Sequence, residues 1–149
     1  MVHLDGRLRA VADLAGSVQT LYDIGANHGL LSAYMLEAGL CRRACITDIS
    51  RDALKRARYN LGKAGLLDRA EFVVTDGLKG LSPAVGDAVV ISGMGTQVIS
   101  GILAGADTDA PFILQPTWMP RPFGNICMQT GLPLKRNVSA GQPEGSMSA

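Results

Sequence analysis

Groups that bind metal or form disulfides are scarce in this sequence. The two histidines, His3 and His28, lie far apart and lack ligand-like neighbours, so no metal set is visible. The three cysteines, Cys41, Cys45 and Cys127, contain no C-x-x-C pair. An odd count without pairing spacing reads as a reduced, cytosolic chain. No apolar run approaches the roughly 18 residues of a membrane-spanning helix, and no signal-peptide pattern opens the chain. There is no internal repeat and no low-complexity tract. Net charge is only +1, which gives no global bias toward nucleic acid but leaves room for a local basic patch. What is present suits one domain: 149 residues, of which 47% are apolar, enough for a real core.

Hydrophobic periodicity divides the chain into alternating elements. Residues 4–15 place Leu4, Leu8, Val11, Ala12 and Ala15 on one helical face, with Asp5 as cap. Strands are expected at 18–24, 44–48, 71–75, 87–92 and 111–115. Helices are expected at 29–39, apolar nearly all round and so buried, at 51–64 and at 96–104, where Gly101 counts against helix. Alternation of short apolar strands with helices predicts a parallel sheet with helices on both faces. Such sheets bind ligands beyond the carboxyl ends of their strands.

Those ends are polar or glycine-rich. The first strand runs into Asp23-Ile24-Gly25-Ala26-Asn27-His28-Gly29. Its G-x-x-x-G spacing differs from the dinucleotide pattern, and an acidic residue before the first glycine suits a ligand carrying an amino group. Asp48 ends the second strand, where a carboxylate can hold both ribose hydroxyls of a nucleoside cofactor; capping the next helix is the alternative, although Ser50 is also placed for that. Asp76-Gly77 ends the third strand, either reading an adenine edge or forming an ordinary Asp-Gly turn. Ser92-Gly93-Met94-Gly95 ends the fourth.

In order and spacing, D-I-G-A-N-H-G, T-D-I-S, D-G-L, I-S-G-M-G and L-Q-P resemble bacterial tRNA adenine-N1 methyltransferases of the TrmK type. The resemblance covers about residues 4–116, including the helical lead-in at Arg7-Leu8, and G-M-G with L-Q-P is its most specific part. It implies a Rossmann-like class I methyltransferase fold that binds S-adenosyl-L-methionine. It also implies that Asp23, Gly25 and Gly29 form the methionine and ribose side of the pocket, Asp48 holds the ribose and Asp76 and Gly77 flank the adenine. Gly93, Met94 and Gly95 would line the cofactor and the target base, with His28 a base-contacting candidate. Asn27 stands where the family has aspartate, and Thr96 replaces the second glycine of G-M-G-G. Neutral adenine N1 already carries a lone pair, so alignment and exclusion of water are expected to dominate catalysis. No N-P-P-Y-type motif is present, which points away from exocyclic amines.

A basic stripe, Arg51, Lys55, Arg56, Arg58 and Lys63 against Asp52, joins Arg42 and Arg43 as a candidate tRNA contact; a solvated helix face is the competing reading. After Pro116 the pattern collapses. Residues 117–149 hold four of the seven prolines and one acidic residue, Glu144. An irregular or disordered tail is expected there, with the closing strands of the sheet missing and the fifth strand left as an edge. Shifting the reading frame near Asn125–Leu132 permits a helix ending in Ala-Asn-Gly-Phe, so a truncation or frameshift after Pro116 is expected. The functions expected are tRNA adenine-N1 methylation, methylation of a small molecule or protein, or cofactor binding without activity. Glycine spacing disfavours a nicotinamide oxidoreductase. The tRNA would be bound weakly, with no membrane or metal partner, in the cytoplasm.

Overall fold

In the structure, a computed structural model, residues 2–26, 28–117, 127–129 and 137–139 are described. The first helix, α1 (Gly6–Ala15), starts where expected, because the Asp5 side chain accepts a hydrogen bond from the Leu8 amide at 2.9 Å. It leads into β1 (Val18–Ile24), α2 (Leu30–Glu37), β2 (Cys41–Asp48) and α3 (Arg51–Lys63). A short 3-10 turn then precedes β3 (Ala70–Val74), β4 (Ala88–Met94), α4 (Thr96–Ala104) and β5 (Phe112–Pro116). Helix α4 runs through Gly101 without a break. Strand β2 begins three residues before its apolar part, because Arg42 and Arg43 are exposed and hide its start from a hydrophobicity reading.

Strands β1 to β5 are parallel, in the order β3-β2-β1-β4-β5. The chain builds outward from β1 through β2 to β3, then crosses back to lay β4 on the other side of β1. Strand order therefore reverses at the β1–β4 seam, where a crevice opens at the carboxyl ends. Two further strands, β6 (Cys127–Gln129) and β7 (Asn137–Ser139), extend the sheet antiparallel beyond β5. No strand is expected after Pro116, which would leave β5 as an edge; here Ile113 pairs with Met128, so β5 is covered on both sides. Three-residue strands carry too little alternation to be seen in a sequence. The rest of the irregular tail expected over 117–149, and any trace of a frameshift near 125–132, lies mostly outside the described residues.

Two apolar layers sandwich the sheet. One joins α1, α2 and α3 through Val11, Leu31, Met35, Leu36, Leu54 and Leu61 to Leu21, Ile46, Val90 and Ile113. The other joins α4, through Ile99 and Leu103, to Ile24, Val89, Ile91, Phe112 and Leu114. Alternation along β4 and β5 sends successive side chains into the two layers. Each fully buried aliphatic side chain contributes about 1.5–3 kcal/mol. Helix α2 is enclosed as its composition predicts, with Leu31, Ser32, Ala33, Met35 and Leu36 all buried.

Candidate functional site

A cleft of about 540 Å³ lies over the carboxyl ends of β1 to β5. That volume is within the range of small-molecule sites. Its floor is made by Asp23 and Gly25 from β1, Thr47 and Asp48 from β2, Ser92, Gly93 and Met94 from β4, and Gln115 from β5. Asp76 and Gly77 follow β3 on its rim, Arg7 enters from α1, Arg56 from α3, and Val98 and Ile102 from α4.

Asp23 is buried, and its Oδ2 accepts a hydrogen bond from the Ser32 hydroxyl at 2.7 Å. Burial pushes its carboxyl up to about 6; the Ser32 hydrogen bond pulls it down, and the charge of Asp48 pushes it up. A buried carboxylate without a cationic partner among the described residues fits a ligand that brings a positive group to the cleft floor. Hydrophobic periodicity does not reveal Ser32 as a site residue. Its signal is a lone polar residue in an apolar helix, which must find a partner once buried.

Gly25 turns the chain sharply out of β1 at φ 70°, and its amide and that of Ala26 both donate to the Thr47 carbonyl. A side chain here would collide with the terminal methyl of Met94. The loop after β1 therefore rests directly on the end of β4, which requires glycine. Gly93 forms a bulge: Ser92 pairs with Gln115 but Met94 pairs with Pro116, so β4 carries one extra residue as it enters the cleft.

Ser50 caps α3, accepting from the Ala53 amide at 3.2 Å, so the capping role considered for Asp48 is filled by its neighbour. Asp48 Oδ1 accepts from the Ser50 amide at 2.9 Å. Asp76 does form the turn considered for it, its carbonyl accepting from the Lys79 amide, with the Lys79 ammonium 3.6 Å from its carboxylate. Thr75, Asp76 and Gly77 face the cleft all the same. His28 also lines it, with an exposed side chain, while its carbonyl accepts from Asn60 Nδ2 at 2.8 Å. Asn27 lies outside the described residues.

Two predicted residues are not brought to the cleft. Gly29 is buried under α3, where a Cβ would lie 2.9 Å from Ala57 Cβ. There it lets α2 and α3 approach each other. Gly95 is the N-cap of α4, in extended backbone, and is not among the residues lining the cleft. The basic stripe is also reduced. Arg58 stacks on Phe72, Lys63 on Tyr59, and Lys55 lies 3.9 Å from Asp52. Arg56 alone of the stripe reaches the cleft, joined by Arg7, which the charge pattern did not single out.

Thr47 Oγ1 and Gln115 Nε2 are buried polar atoms with no hydrogen-bond partner among the described residues, and both residues line the cleft. Unsatisfied polar atoms concentrated in one crevice mark where a polar ligand belongs. Ile49, 73% exposed, and Val98, 54% exposed, add apolar surface at the same place. Together these groups fit a ligand combining a cation, hydroxyls and a flat ring. Burial pushes the thiols of Cys41 and Cys45 up to about 11 and about 12, which keeps them protonated and unreactive at neutral pH. Among the described residues no three His, Cys, Asp or Glu group to hold a metal, and no helix is long and apolar enough to cross a membrane.

Residues 4–141 match the family model described as a methyltransferase domain. The tRNA (adenine(22)-N(1))-methyltransferase of Bacillus subtilis is 31% identical over 117 residues, covering 76% of this chain and 49% of that protein. TrmK of M. capricolum, solved with S-adenosyl-homocysteine, superposes with a TM-score of 0.71 at 28% identity, over 78% of this chain and 53% of that one. A Streptococcus pneumoniae protein solved with S-adenosyl-L-methionine gives 0.66 at 25% identity, over 76% and 56%. The chain thus spans about half the length of the relatives it matches. With the five parallel strands, the cleft at their carboxyl ends and these matches together, the chain belongs to the methyltransferase domain family, and within it is similar to the TrmK type.

Proposed function

We propose that this chain binds S-adenosyl-L-methionine and belongs to an enzyme that methylates N1 of an adenine in tRNA. The observation that carries the reading is the buried Asp23 carboxyl on the floor of a cleft that also holds Asp48 and the unpartnered hydroxyl of Thr47. Asp23 would receive the ammonium of the cofactor, against the turn at Gly25. Asp48 would accept from the ribose hydroxyls, and Asp76 and Gly77 would border the adenine, with Ile49 and Ile102 offering apolar contact. When bound, the cofactor supplies a methyl group on a sulfonium. Gly93 and Met94 would face the acceptor, with His28 at the mouth as a base contact.

Adenine N1 needs no deprotonation before attack, so the protein's task is alignment and exclusion of water. Arg7 and Arg56 at the mouth supply positive charge for RNA phosphates. Residues 1–116 would hold the cofactor site, and a tRNA substrate implies a cytoplasmic location. Similarity to the tRNA adenine-N1 methyltransferase of Bacillus subtilis supports adenine N1 as acceptor.

The test is transfer of labelled methyl to an unmodified tRNA transcript. Because a methyl at N1 blocks the pairing edge, reverse transcription should stop at the modified adenine. Binding of S-adenosylhomocysteine without any incorporation into RNA would refute the tRNA assignment and leave methylation of a small molecule or protein, or cofactor binding alone.

A further inference from the structure

We propose that Gln115 is the residue that reads the target adenine, its carboxamide engaging the N6 and N7 edge while N1 stays open to the methyl group. This rests on the function proposed above and assigns one contact within it. Gln115 is 3% exposed, lines the cleft, and its Nε2 has no partner among the described residues. A carboxamide shielded from water with an unused donor is unfavourable unless a ligand completes it.

Strand order decides which ligand. The groups suited to the cofactor stand on β1, β2 and β3, on one side of the β1–β4 seam. Gln115 is on β5, beyond β4, paired in register with Ser92 beside the bulge. It therefore faces the acceptor side of the cleft. Thr47, the other unpartnered group, is on β2 and belongs to the cofactor side. A planar amide, with a donor and an acceptor side by side, is complementary to N7 and the N6 amino group of adenine. Guanine presents two acceptors on that edge and is rejected. N1 lies on a different edge, so this contact holds the ring without consuming the lone pair that attacks.

The test uses the full chain with two tRNA transcripts, one normal and one made with 7-deazaadenosine, which lacks the N7 acceptor. Gln115→Met keeps the length of the side chain and removes its polar atoms. It should melt at the same or a higher temperature and bind S-adenosylhomocysteine as wild type does. Its kcat/KM on normal transcript should fall about 5- to 100-fold. The wild type should lose a comparable factor on the 7-deaza transcript, whereas Gln115→Met should treat both transcripts alike. Gln115→Glu, which keeps the volume and loses the donor, should repeat the pattern. A merely structural role predicts a lower melting temperature with the 7-deaza penalty intact, and either that result or a parallel loss of S-adenosylhomocysteine affinity overturns the proposal. Absence of transfer to RNA by the wild type refutes the tRNA function itself, and this is visible before any variant is made.

Discussion

Replacing Asp23 by Asn should make the unliganded protein more stable at neutral pH while weakening its ligand binding. The carboxyl is raised from 3.8 to about 6, first by burial, with the Ser32 hydrogen bond opposing and the Asp48 charge assisting. A folded-state value above the unfolded one means that the native protein holds this proton more tightly. The associated stability is fully present below about pH 4 and is lost as pH rises through 6. The rise from 3.8 to about 6 corresponds to on the order of 3 kcal/mol, a large share of a typical domain's stability. Asparagine has nothing to ionise and retains an oxygen for Ser32. Urea unfolding should therefore show the two proteins nearly equal at pH 4 and Asp23→Asn ahead by about 2–3 kcal/mol at pH 8. Ligand binding supplies the second half of the experiment. An ammonium brought to Asp23 favours the ionised form, so S-adenosylhomocysteine binding near pH 5.5 should release a proton, seen as an enthalpy that varies with buffer. The variant should bind without that release and about 100-fold more weakly, the cost of losing a buried charged partner. Parallel stability curves for the two proteins between pH 4 and 8, or proton release that survives in Asp23→Asn, would refute the assignment.

Asp48→Ala should weaken S-adenosylhomocysteine by roughly 1–3 kcal/mol in calorimetry, the value of hydrogen bonds to a charged acceptor, with little change in melting temperature. Gly25→Ala should abolish binding, since the added methyl strains a positive φ and meets Met94; a crystal structure showing Met94 displaced and the cleft intact would contradict this. Gly29→Ala should instead lower stability by about 1–3 kcal/mol through overpacking against Ala57, with whatever folds retaining its cofactor affinity. The chain should bind cofactor as tightly as the Bacillus subtilis relative does but methylate tRNA less efficiently, because few cations among the described residues are placed at the cleft; incorporation at low salt matching that of the relative would count against it.

The order of elements and the polar strand ends were legible because each is local. Asp5 caps its own helix, and Asp23, Asp48 and Asp76 stand where an apolar run stops. What the sequence concealed depends on distant partners. Gly29 and Gly25 look alike in one G-x-x-x-G turn, yet Gly29 answers to Ala57 on α3 and Gly25 to Met94 on β4. Arg58 and Lys63 read as free cations until Phe72 and Tyr59 are seen beneath them. Gln115 was visible only as a letter in L-Q-P, since its missing partner is a property of the folded cleft.

The division of the apolar interior by the sheet has a bearing on redesign. Val98 and Ile102 form the cleft wall on α4, and α4 is anchored by Ile99 and Leu103 to one face of the sheet, while α1, α2 and α3 are anchored to the other. Changes under α4 and changes under α2 share no side-chain neighbours, so their energetic effects should sum. A library confined to α4 can thus vary the cleft wall at Val98 and Ile102 while Asp23, Ser32 and Asp48 keep their supports. The architecture thus pairs a supported floor with a wall whose shape can be varied by itself, a division that suits evolution as well as it suits an engineer.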